Sequence, residues 1–229
     1  MIEQAEKVLY PINDCYTCVQ GEGVQTGVAM VLLRLHGCDV GCPFCDTKHT
    51  WYFEKDNERP DIPNVLGENM RYAYIAPEEI TQYIHENHPG PRWIMVTGGE
   101  PAQYPLKPLV DALHGQGYKV ALETSGTEIG HLDAGVDWVC VSPKIGMPGG
   151  KTIRLETLEA ADEIKHVVGK RADIEMLDDL LSRVHLKETA QVCLQPVSLS
   201  QNATQLCIKT VQARGWRLSI QVHKYLKQP

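Results

Sequence analysis

The stretch VAMVLLRLHGCDVGCPFC, residues 28–45, runs from an apolar segment directly into three cysteines. Cys38, Cys42 and Cys45 have the spacing C-x3-C-x2-C. A disulfide uses two thiols, and a structural zinc ion usually takes four protein ligands. A [4Fe–4S] cluster normally takes four thiolates, so three of them leave one iron free for a ligand with N or O donors. The cysteine loop therefore raises the hypothesis of an iron–sulfur cluster with one open position.

Composition limits the class of protein. The chain has 229 residues, of which 43% are hydrophobic, and a formal net charge of −7. Such a chain can bury a sizeable core, and its acidic balance does not favour direct nucleic-acid binding. It has no apolar run of membrane-spanning length and no secretory signal pattern at its N-terminus. We therefore expect a cytoplasmic protein, in which eight cysteines indicate metal or redox chemistry rather than disulfides.

Strand-like and helix-like segments alternate along most of the chain. This alternation predicts one α/β domain over residues 1–229, with an open parallel sheet and crossover helices. Residues 28–51 would form the first strand and the cluster loop, and residues 52–75 an irregular insertion. The predicted strands are 28–35, 92–98, 118–126, 137–144, 163–170, 190–198 and 217–226. The predicted helices are 76–87, 105–117, 155–163, 172–185 and 202–215.

Polar or glycine-rich motifs follow several of the predicted strands. They are the cysteine loop, TGGEP (97–101), ETSG (123–126), SPK (142–144) and QPVS (195–198). In parallel sheets and (β/α) barrels, ligands bind at the C-terminal edge of the strands. We therefore expect these motifs to form one site.

The remaining cysteines allow a second interpretation of the metal. Cys15 and Cys18 form a CxxC that, together with Cys42 and Cys45, is similar to a zinc ribbon. A non-enzymatic zinc-binding module is therefore an alternative, although it leaves Cys38 unused. Three other cysteines lie in apolar segments and are predicted to pack in the core as small hydrophobic residues, namely Cys140, Cys193 and Cys207.

The cysteine motif resembles that of the radical S-adenosylmethionine (SAM) superfamily, in which an aromatic residue precedes the last cysteine, as Phe44 does here. TGGEP after the second predicted strand strengthens this resemblance. More narrowly, VQGEGVQTG (19–27), CDT (45–47) and WRLSIQVHKYL (216–226) resemble the 7-carboxy-7-deazaguanine synthase family. The resemblance implies a partial (β/α) barrel with a [4Fe–4S] cluster, SAM and Mg²⁺ as cofactors.

The same resemblance implies a reaction. Members of that family convert 6-carboxy-5,6,7,8-tetrahydropterin to 7-carboxy-7-deazaguanine with loss of ammonia, on the route to queuosine and other 7-deazapurines. A 5′-deoxyadenosyl radical made from SAM abstracts the hydrogen at C6 of the pterin, and the ring then contracts. The resemblance also implies a homodimer and a reductase or flavodoxin as electron donor, with no direct nucleic-acid or membrane partner. A radical SAM activase acting on a protein partner is the alternative within the same chemistry.

Each motif residue then has an expected role. Cys38, Cys42 and Cys45 would hold the cluster, and the hard oxygen donors of Asp46 and Thr47 suit Mg²⁺. The expected catalytic and substrate-binding residues are Arg34, Glu22, Val19, Gln20, Gly21, Thr97 and Pro229. The expected SAM contacts are Phe44, Gly99, Glu123, Ser142, Pro143, Lys144 and Gln195.

Several of these residues also have a purely structural interpretation. A guanidinium in an apolar strand must be paired, so Arg34 would bind the substrate carboxylate in a bidentate manner or take part in a structural salt bridge. Asp46 would alternatively cap a turn, Glu22 would alternatively be a turn carboxylate, and Lys144 would alternatively be a surface lysine.

Overall fold

The computed structural model describes residues 8–67, 69–197 and 200–226, so the predicted substrate contact Pro229 lies outside the described residues. The strands are β1 (Tyr10–Val19), β2 (Ala29–Leu35), β3 (Ala73–Ile75), β4 (Trp93–Gly98), β5 (Lys119–Thr124), β6 (Trp138–Val141), β7 (Glu163–Val168), β8 (Gln191–Pro196) and β9 (Arg217–Leu218). The helices are α1 (Pro77–Asn87), α2 (Lys107–Gly115), α3 (Leu155–Glu159), α4 (Arg171–Leu181), α5 (Gln201–Arg214) and α6 (His223–Leu226). None of the helices in these ranges is long and apolar enough to cross a membrane.

The strands form one mostly parallel sheet in the order β3-β1-β2-β4-β5-β6-β7-β8-β9. From β2 to β9 each neighbouring pair is parallel, whereas β1 pairs with β2, and β3 with β1, in the antiparallel direction. The predicted single α/β fold with an open parallel sheet is confirmed. Because the parallel strands share a direction, their C-terminal ends lie at one edge of the sheet, where the predicted motifs begin.

The sheet curves so that its first and last parts meet. The loop after β1 donates a hydrogen bond from the Gly23 backbone N–H to Ser219 Oγ (2.9 Å) and one from Val24 to Glu163 Oε2 (3.1 Å). The Val222 backbone N–H in turn donates to the Gly21 carbonyl (2.8 Å). The residues of this loop therefore join β1 to β7 and to the segment after β9, which encloses the inner face of the sheet.

The two faces of the sheet differ in composition. The larger buried cluster lies between the sheet and the helices and includes Ile80 and Ile84 of α1, Leu109 of α2 and Leu177 of α4. The inner face has only a small apolar cluster, built on Met30, Leu32 and Met95. Burial against the helices therefore provides most of the hydrophobic stabilisation, and the inner face is available for polar side chains.

Two parts of the sequence prediction were wrong about secondary structure. The segment before residue 28 forms a full strand, β1, because it pairs with β2 along its length although it contains Asn13, Asp14 and Thr17. The strand predicted over 217–226 is only Arg217–Leu218, and α6 follows it. The chain leaves the sheet after Leu218 because residues 219–222 turn inward to contact the loop after β1.

The segment 52–75 is more ordered than the predicted irregular insertion. Its last residues form β3 at the edge of the sheet, and Ile62 and Val65 are buried in the main core. Phe53 and Tyr72 pack edge to face at 5.0 Å, and His36, which precedes the cysteine loop, lies 4.8 Å from Tyr72 between ring centroids. The segment therefore supports the cysteine loop from outside.

This packing predicts a stability effect inside the segment. Ile62→Ala removes a side chain that is only 3% exposed, so we expect it to lower the free energy of unfolding by about 2–5 kcal/mol. Leu66→Ala is the control, because Leu66 is 38% exposed and its loss should change stability by less than about 0.5 kcal/mol. Urea unfolding of both variants measures the difference. Equal midpoints would mean that the segment is not part of the core.

Candidate active site

A cavity of about 780 Å³ opens on the inner face of the sheet. All of the predicted site residues line it except two, namely Pro143, which is buried, and Pro229, which is outside the described residues. The lining includes Cys38, Cys42, Cys45, Phe44, Asp46, Thr47, Arg34, Thr97, Gly99, Val19, Gln20, Gly21, Glu22, Glu123, Ser142, Lys144 and Gln195. The fold thus brings together motifs that are far apart in the sequence.

The cysteine loop is held by its backbone. Gly37 and Gly41 have φ values of 97° and 73°, which lie in the left-handed region that glycine adopts most easily. The Gly37 and Cys38 N–H groups donate to the carbonyls of Thr50 (2.7 Å) and Trp51 (3.2 Å). The loop therefore folds back on itself and directs its three thiols toward the cavity.

The end of β4 lies directly against this loop. The Gly99 N–H donates to the Leu35 carbonyl and the Glu100 N–H to the Gly37 carbonyl, both at 2.9 Å. A Cβ atom on Gly99 would lie 2.0 Å from the Gly37 carbonyl oxygen, so no other residue fits without displacing the loop. The glycine of TGGEP is thus required by the approach of two backbones.

Glu100 connects the TGGEP and ETSG motifs. Its buried carboxylate accepts hydrogen bonds from Thr124 Oγ1 (2.6 Å), the Ser125 N–H (2.7 Å) and the Ala102 N–H (2.9 Å). Burial raises the pKa of Glu100, although these hydrogen bonds act in the opposite direction. The sequence prediction gave this side chain no role, and the structure assigns it the joining of the ends of β4 and β5.

The thiol chemistry fits an iron–sulfur cluster. Burial raises the pKa of Cys38 to about 11 and also raises that of Cys42, so these thiols stay protonated until a positively charged metal displaces the protons. Within the described ranges, no three histidine, cysteine, aspartate or glutamate side chains are grouped closely enough to hold a single ion. A [4Fe–4S] cluster does not need such a group, because each iron takes its own thiolate.

The zinc-ribbon alternative is wrong on geometry. Cys15 packs in the main core on the outer face of the sheet, whereas Cys18 lies against the inner cluster. Their side chains point to opposite faces because they are three residues apart on one strand. They cannot bind one zinc ion together with Cys42 and Cys45.

The three cysteines predicted to be core residues are buried, namely Cys140, Cys193 and Cys207.

Asp46 and Thr47 present oxygen donors to the same cavity. Thr47 Oγ1 lies 3.6 Å from Cys45 Sγ, and Asp46 is exposed. The short 3-10 helix Lys48–Thr50 begins after Thr47 without a side-chain cap, so the alternative that Asp46 caps a turn is not supported there. Mg²⁺ keeps several water ligands and takes one or two protein oxygens, and this pair fits that requirement.

Arg34 lies beside Thr97 across the parallel pair β2–β4. Its guanidinium makes one long hydrogen bond, 3.4 Å to Tyr16 Oη. No ion pair to Arg34 occurs among the residues that the structure describes, so the structural salt bridge considered from the sequence is not found there. A partly buried guanidinium in a cavity wall suits a carboxylate ligand.

Lys144 is a partly buried member of the cavity wall rather than the surface lysine considered as its alternative. Its Nζ donates to the Ser142 carbonyl (3.0 Å) and to Ser142 Oγ (2.5 Å). Burial lowers the pKa of Lys144, and the nearby Cys42 acts in the opposite direction.

Gln195 Oε1 accepts a hydrogen bond from Ser219 Oγ at 2.7 Å, which fixes the Gln195 amide at the far side of the cavity.

Sequence reasoning missed Lys165 in β7. Its Nζ lies 2.7 Å from Glu22 Oε2 and 3.0 Å from Glu123 Oε2, and its side chain is only 3% exposed. Gln20 Nε2 donates to Glu123 Oε1 at 3.0 Å. The sequence signal was weak, because Lys165 lies in a strand that also contains Glu163 and His166. Glu22 is therefore an ion-paired member of the cavity wall and not an isolated turn carboxylate.

Comparison with known proteins agrees with this site. The family model described as Radical SAM superfamily matches residues 32–184. The 7-carboxy-7-deazaguanine synthase of Escherichia coli (strain K12) is 43% identical over 220 residues, which cover 95% of this chain and 98% of that protein. The enzyme of the same name from Flavobacterium psychrophilum is 30% identical, over 100% of this chain and 96% of its own.

A solved structure gives the same result. The crystal structure of QueE from Escherichia coli has a TM-score of 0.88 and 39% sequence identity, and the match covers 96% of this chain and 100% of that chain. The fold and the cysteine loop thus define a radical SAM enzyme. Within that superfamily the chain belongs to the 7-carboxy-7-deazaguanine synthase family, which confirms the resemblance found in the sequence.

The contact between β4 and the cysteine loop predicts the effect of one methyl group. Gly99→Ala forces the loop away from β4, so we expect it to destabilise the protein by about 1–3 kcal/mol and to lower the iron retained after reconstitution. The control is Gly115→Ala, because a Cβ atom there meets nothing within 4 Å. Thermal unfolding and iron analysis compare the two. Normal iron content in Gly99→Ala would contradict the close approach.

Proposed function

We propose that this protein converts 6-carboxy-5,6,7,8-tetrahydropterin to 7-carboxy-7-deazaguanine with loss of ammonia, as a lyase of queuosine and 7-deazapurine biosynthesis. One observation carries the proposal. The three cysteines, the guanidinium of Arg34 and the carboxylate of Glu22 line a single cavity of about 780 Å³. A carboxylated heterocycle placed there would meet a cation for its carboxylate and a carboxylate for its ring N–H groups.

The cofactors would be held at the C-terminal edge of the sheet. Cys38, Cys42 and Cys45 would each ligate one iron, and Ser142 and Lys144 would contact SAM beside them. Phe44, Gly99, Glu123, Pro143 and Gln195 are proposed as further SAM contacts. When bound, the cluster supplies the electron for reductive cleavage of SAM, and Mg²⁺ supplies positive charge near the substrate carboxylate.

The chain's own side chains would orient the substrate. Arg34 would pair with its carboxylate, and Asp46 and Thr47 would hold Mg²⁺ next to that group. Glu22 would accept hydrogen bonds from the ring. Val19, Gln20, Gly21, Thr97 and Pro229 are proposed as the remaining substrate contacts. A ring held on several sides keeps the reacting carbon in one position, which is how positioning accelerates a reaction.

The product decides this proposal. Reconstituted protein, chemically reduced and supplied with SAM, Mg²⁺ and 6-carboxy-5,6,7,8-tetrahydropterin, should form 7-carboxy-7-deazaguanine and ammonia, detected by mass spectrometry. SAM cleavage without any change in the pterin would contradict the proposal and favour the activase alternative. The loop after β1, which spans the inner face, favours a small substrate over a protein segment.

Replacing the cluster cysteines tests the ligand set. Cys38→Ala, Cys42→Ala and Cys45→Ala should each abolish turnover and lower the iron content, because each removes one of three thiolates. Cys18→Ala is the matched control, since Cys18 also lines the cavity but has no proposed ligand role, and Cys15→Ala should likewise keep the metal. If either control variant lost iron as fully as Cys38→Ala, the assignment of ligands would be wrong.

Thr47 provides a separate test of the Mg²⁺ site. Thr47→Ala should raise the Mg²⁺ concentration for half-maximal turnover by about ten-fold or more, while SAM cleavage in the absence of pterin changes little. Thr47→Ser keeps the hydroxyl and should retain the Mg²⁺ dependence of the parent. Equal losses of Mg²⁺ response and SAM cleavage in Thr47→Ala would argue against an ion at this residue.

The remaining proposals concern partners and location. We propose a reductase or flavodoxin as electron donor, a homodimer and a cytoplasmic location. The family to which the chain belongs supports the first two, and the use of cysteines as metal ligands and core residues supports the third. Size-exclusion chromatography with light scattering tests the dimer.

A further inference from the structure

We propose that Lys165 is a positioning residue that fixes Glu22 and Glu123 as a pair of carboxylates in the cavity wall. In place of the SAM contact proposed above for Glu123, this pair would select a ligand with a donor-rich, guanidine-like ring edge. The 2-amino-4-oxo ring of a pterin has such an edge. The inference rests on the proposed function and adds a specificity determinant to it.

The geometry places one cation between two elements that face the ligand. Lys165 Nζ donates to Glu22 Oε2 (2.7 Å) on the loop after β1, and to Glu123 Oε1 (3.1 Å) and Oε2 (3.0 Å) at the end of β5. Gln221 Nε2 donates to Glu22 Oε1 at 2.8 Å, and Gln20 Nε2 to Glu123 Oε1 at 3.0 Å. The other donors to these two carboxylates are thus neutral amides, whereas Lys165 is the donor that carries a positive charge.

The two carboxylates remain partly accessible from the cavity. The side chains of Glu22 and Glu123 are 17% and 23% exposed, whereas Lys165 is 3% exposed behind them. An ionised carboxylate has about four acceptor positions, and the contacts above use only part of them. A ligand in the cavity therefore meets acceptors in front, and the ammonium that stabilises them lies behind.

The charge balance favours a ligand that donates hydrogen bonds. Two carboxylates share one ammonium, which leaves one negative charge facing the cavity. Burial would raise the pKa of Glu22, but Lys165 and the neighbouring hydrogen bonds lower it to about 2. Burial would likewise lower the pKa of Lys165, but Glu123 and Glu22 raise it well above its usual value. Glu22 and Lys165 should therefore stay charged throughout the neutral pH range.

Other titratable groups around Lys165 do not replace its charge. Glu163 lies two residues earlier on the same strand, and burial raises its pKa. Cys140 of β6 and Cys193 of β8 have raised thiol pKa values for the same reason. Lys144 also affects Lys165 electrostatically, but its ammonium donates to Ser142. Lys224 of α6 donates to Gln221 Oε1 (2.8 Å), so it is linked to Glu22 through that amide. Among the described residues, Lys165 is the cation that forms ion pairs with both Glu22 and Glu123, and its loss would therefore leave them without this direct counter-ion.

Removal of the cation predicts a specific pH signature. Two neighbouring, partly buried carboxylates without a counter-ion raise each other's pKa, so one of them takes up a proton near neutral pH. A protonated carboxyl offers fewer acceptors to the ring edge. Binding by a Lys165→Met variant should therefore improve as the pH rises through the new, raised pKa. Binding by the parent protein should depend little on pH in the same range.

The experiment is calorimetric titration of 6-carboxy-5,6,7,8-tetrahydropterin into the anaerobic, cluster-loaded and unreduced protein with SAM and Mg²⁺. Lys165→Met should weaken pterin binding by about ten-fold or more at neutral pH. Part of the lost affinity should return at higher pH. The control Lys107→Met removes an exposed ion pair with Asp111 on α2 and should leave affinity unchanged.

A second variant keeps the proposal testable if Lys165→Met does not fold or load iron. The double variant Lys165→Met/Glu123→Gln removes the ammonium together with one of the two carboxylates that it pairs with. It should therefore be more stable and bind the pterin more tightly than the summed losses of the two single variants predict. Additive losses in the double variant would overturn the inference, as would equal affinity and equal pH dependence in Lys165→Met and the parent. Absence of pterin binding to the parent would instead overturn the proposed function.

Discussion

The contact between two stretches of backbone determines the geometry of this protein's site. The cysteine loop and the end of β4 exchange hydrogen bonds through Gly37, Gly99 and Glu100, and no side chain fits between them. Because β2 and β4 are adjacent parallel strands, the loop after one necessarily lies beside the loop after the other. Glu100 extends this arrangement to β5 through Thr124 and Ser125. The positions of the thiols relative to the remaining motifs follow from these few contacts.

The outer face of the sheet contributes most to stability, and the inner face carries the candidate site. The outer face packs against the helices and contains most of the buried apolar side chains. The inner face holds Arg34, Lys165, Glu22 and Glu123, whose partial burial costs free energy unless they are paired. Lys165 and its two carboxylates satisfy one another, whereas Arg34 has one long hydrogen bond from its guanidinium to Tyr16. The apolar packing outside therefore supports a polar interior that is prepared for a charged ligand.

Much of the fold could be predicted because its parallel strands are apolar runs followed by polar motifs. The predicted strand 28–35 and helix 76–87 differ from β2 and α1 by one residue at the start. β1 was missed because Pro11, Asn13 and Asp14 interrupt its apolar residues, and β3 because it has only three residues. The final predicted strand was wrong because long-range contacts, which local sequence patterns do not encode, draw residues 219–222 away from the sheet.

The site was predicted to a similar extent and for a related reason. Residues within compact motifs, such as the three cysteines and TGGEP, can be recognised from their spacing in the sequence. Lys165 was missed because its partners Glu22 and Glu123 lie 143 and 42 residues away in the sequence. β7 also contains Glu163 and His166, so Lys165 does not stand out in its strand as Arg34 does in β2. Pairing partners become visible only when the strands are assembled.

The proposed reaction depends on a cluster that three cysteines hold and that leaves one iron for SAM. Mössbauer spectroscopy of ⁵⁷Fe-reconstituted protein, recorded with and without SAM, tests this ligand arrangement most directly. We expect the signal of about one iron in four to change when SAM is added, because the other three keep their thiolates. A spectrum that SAM leaves unchanged, with every iron in the same thiolate environment, would contradict the claim.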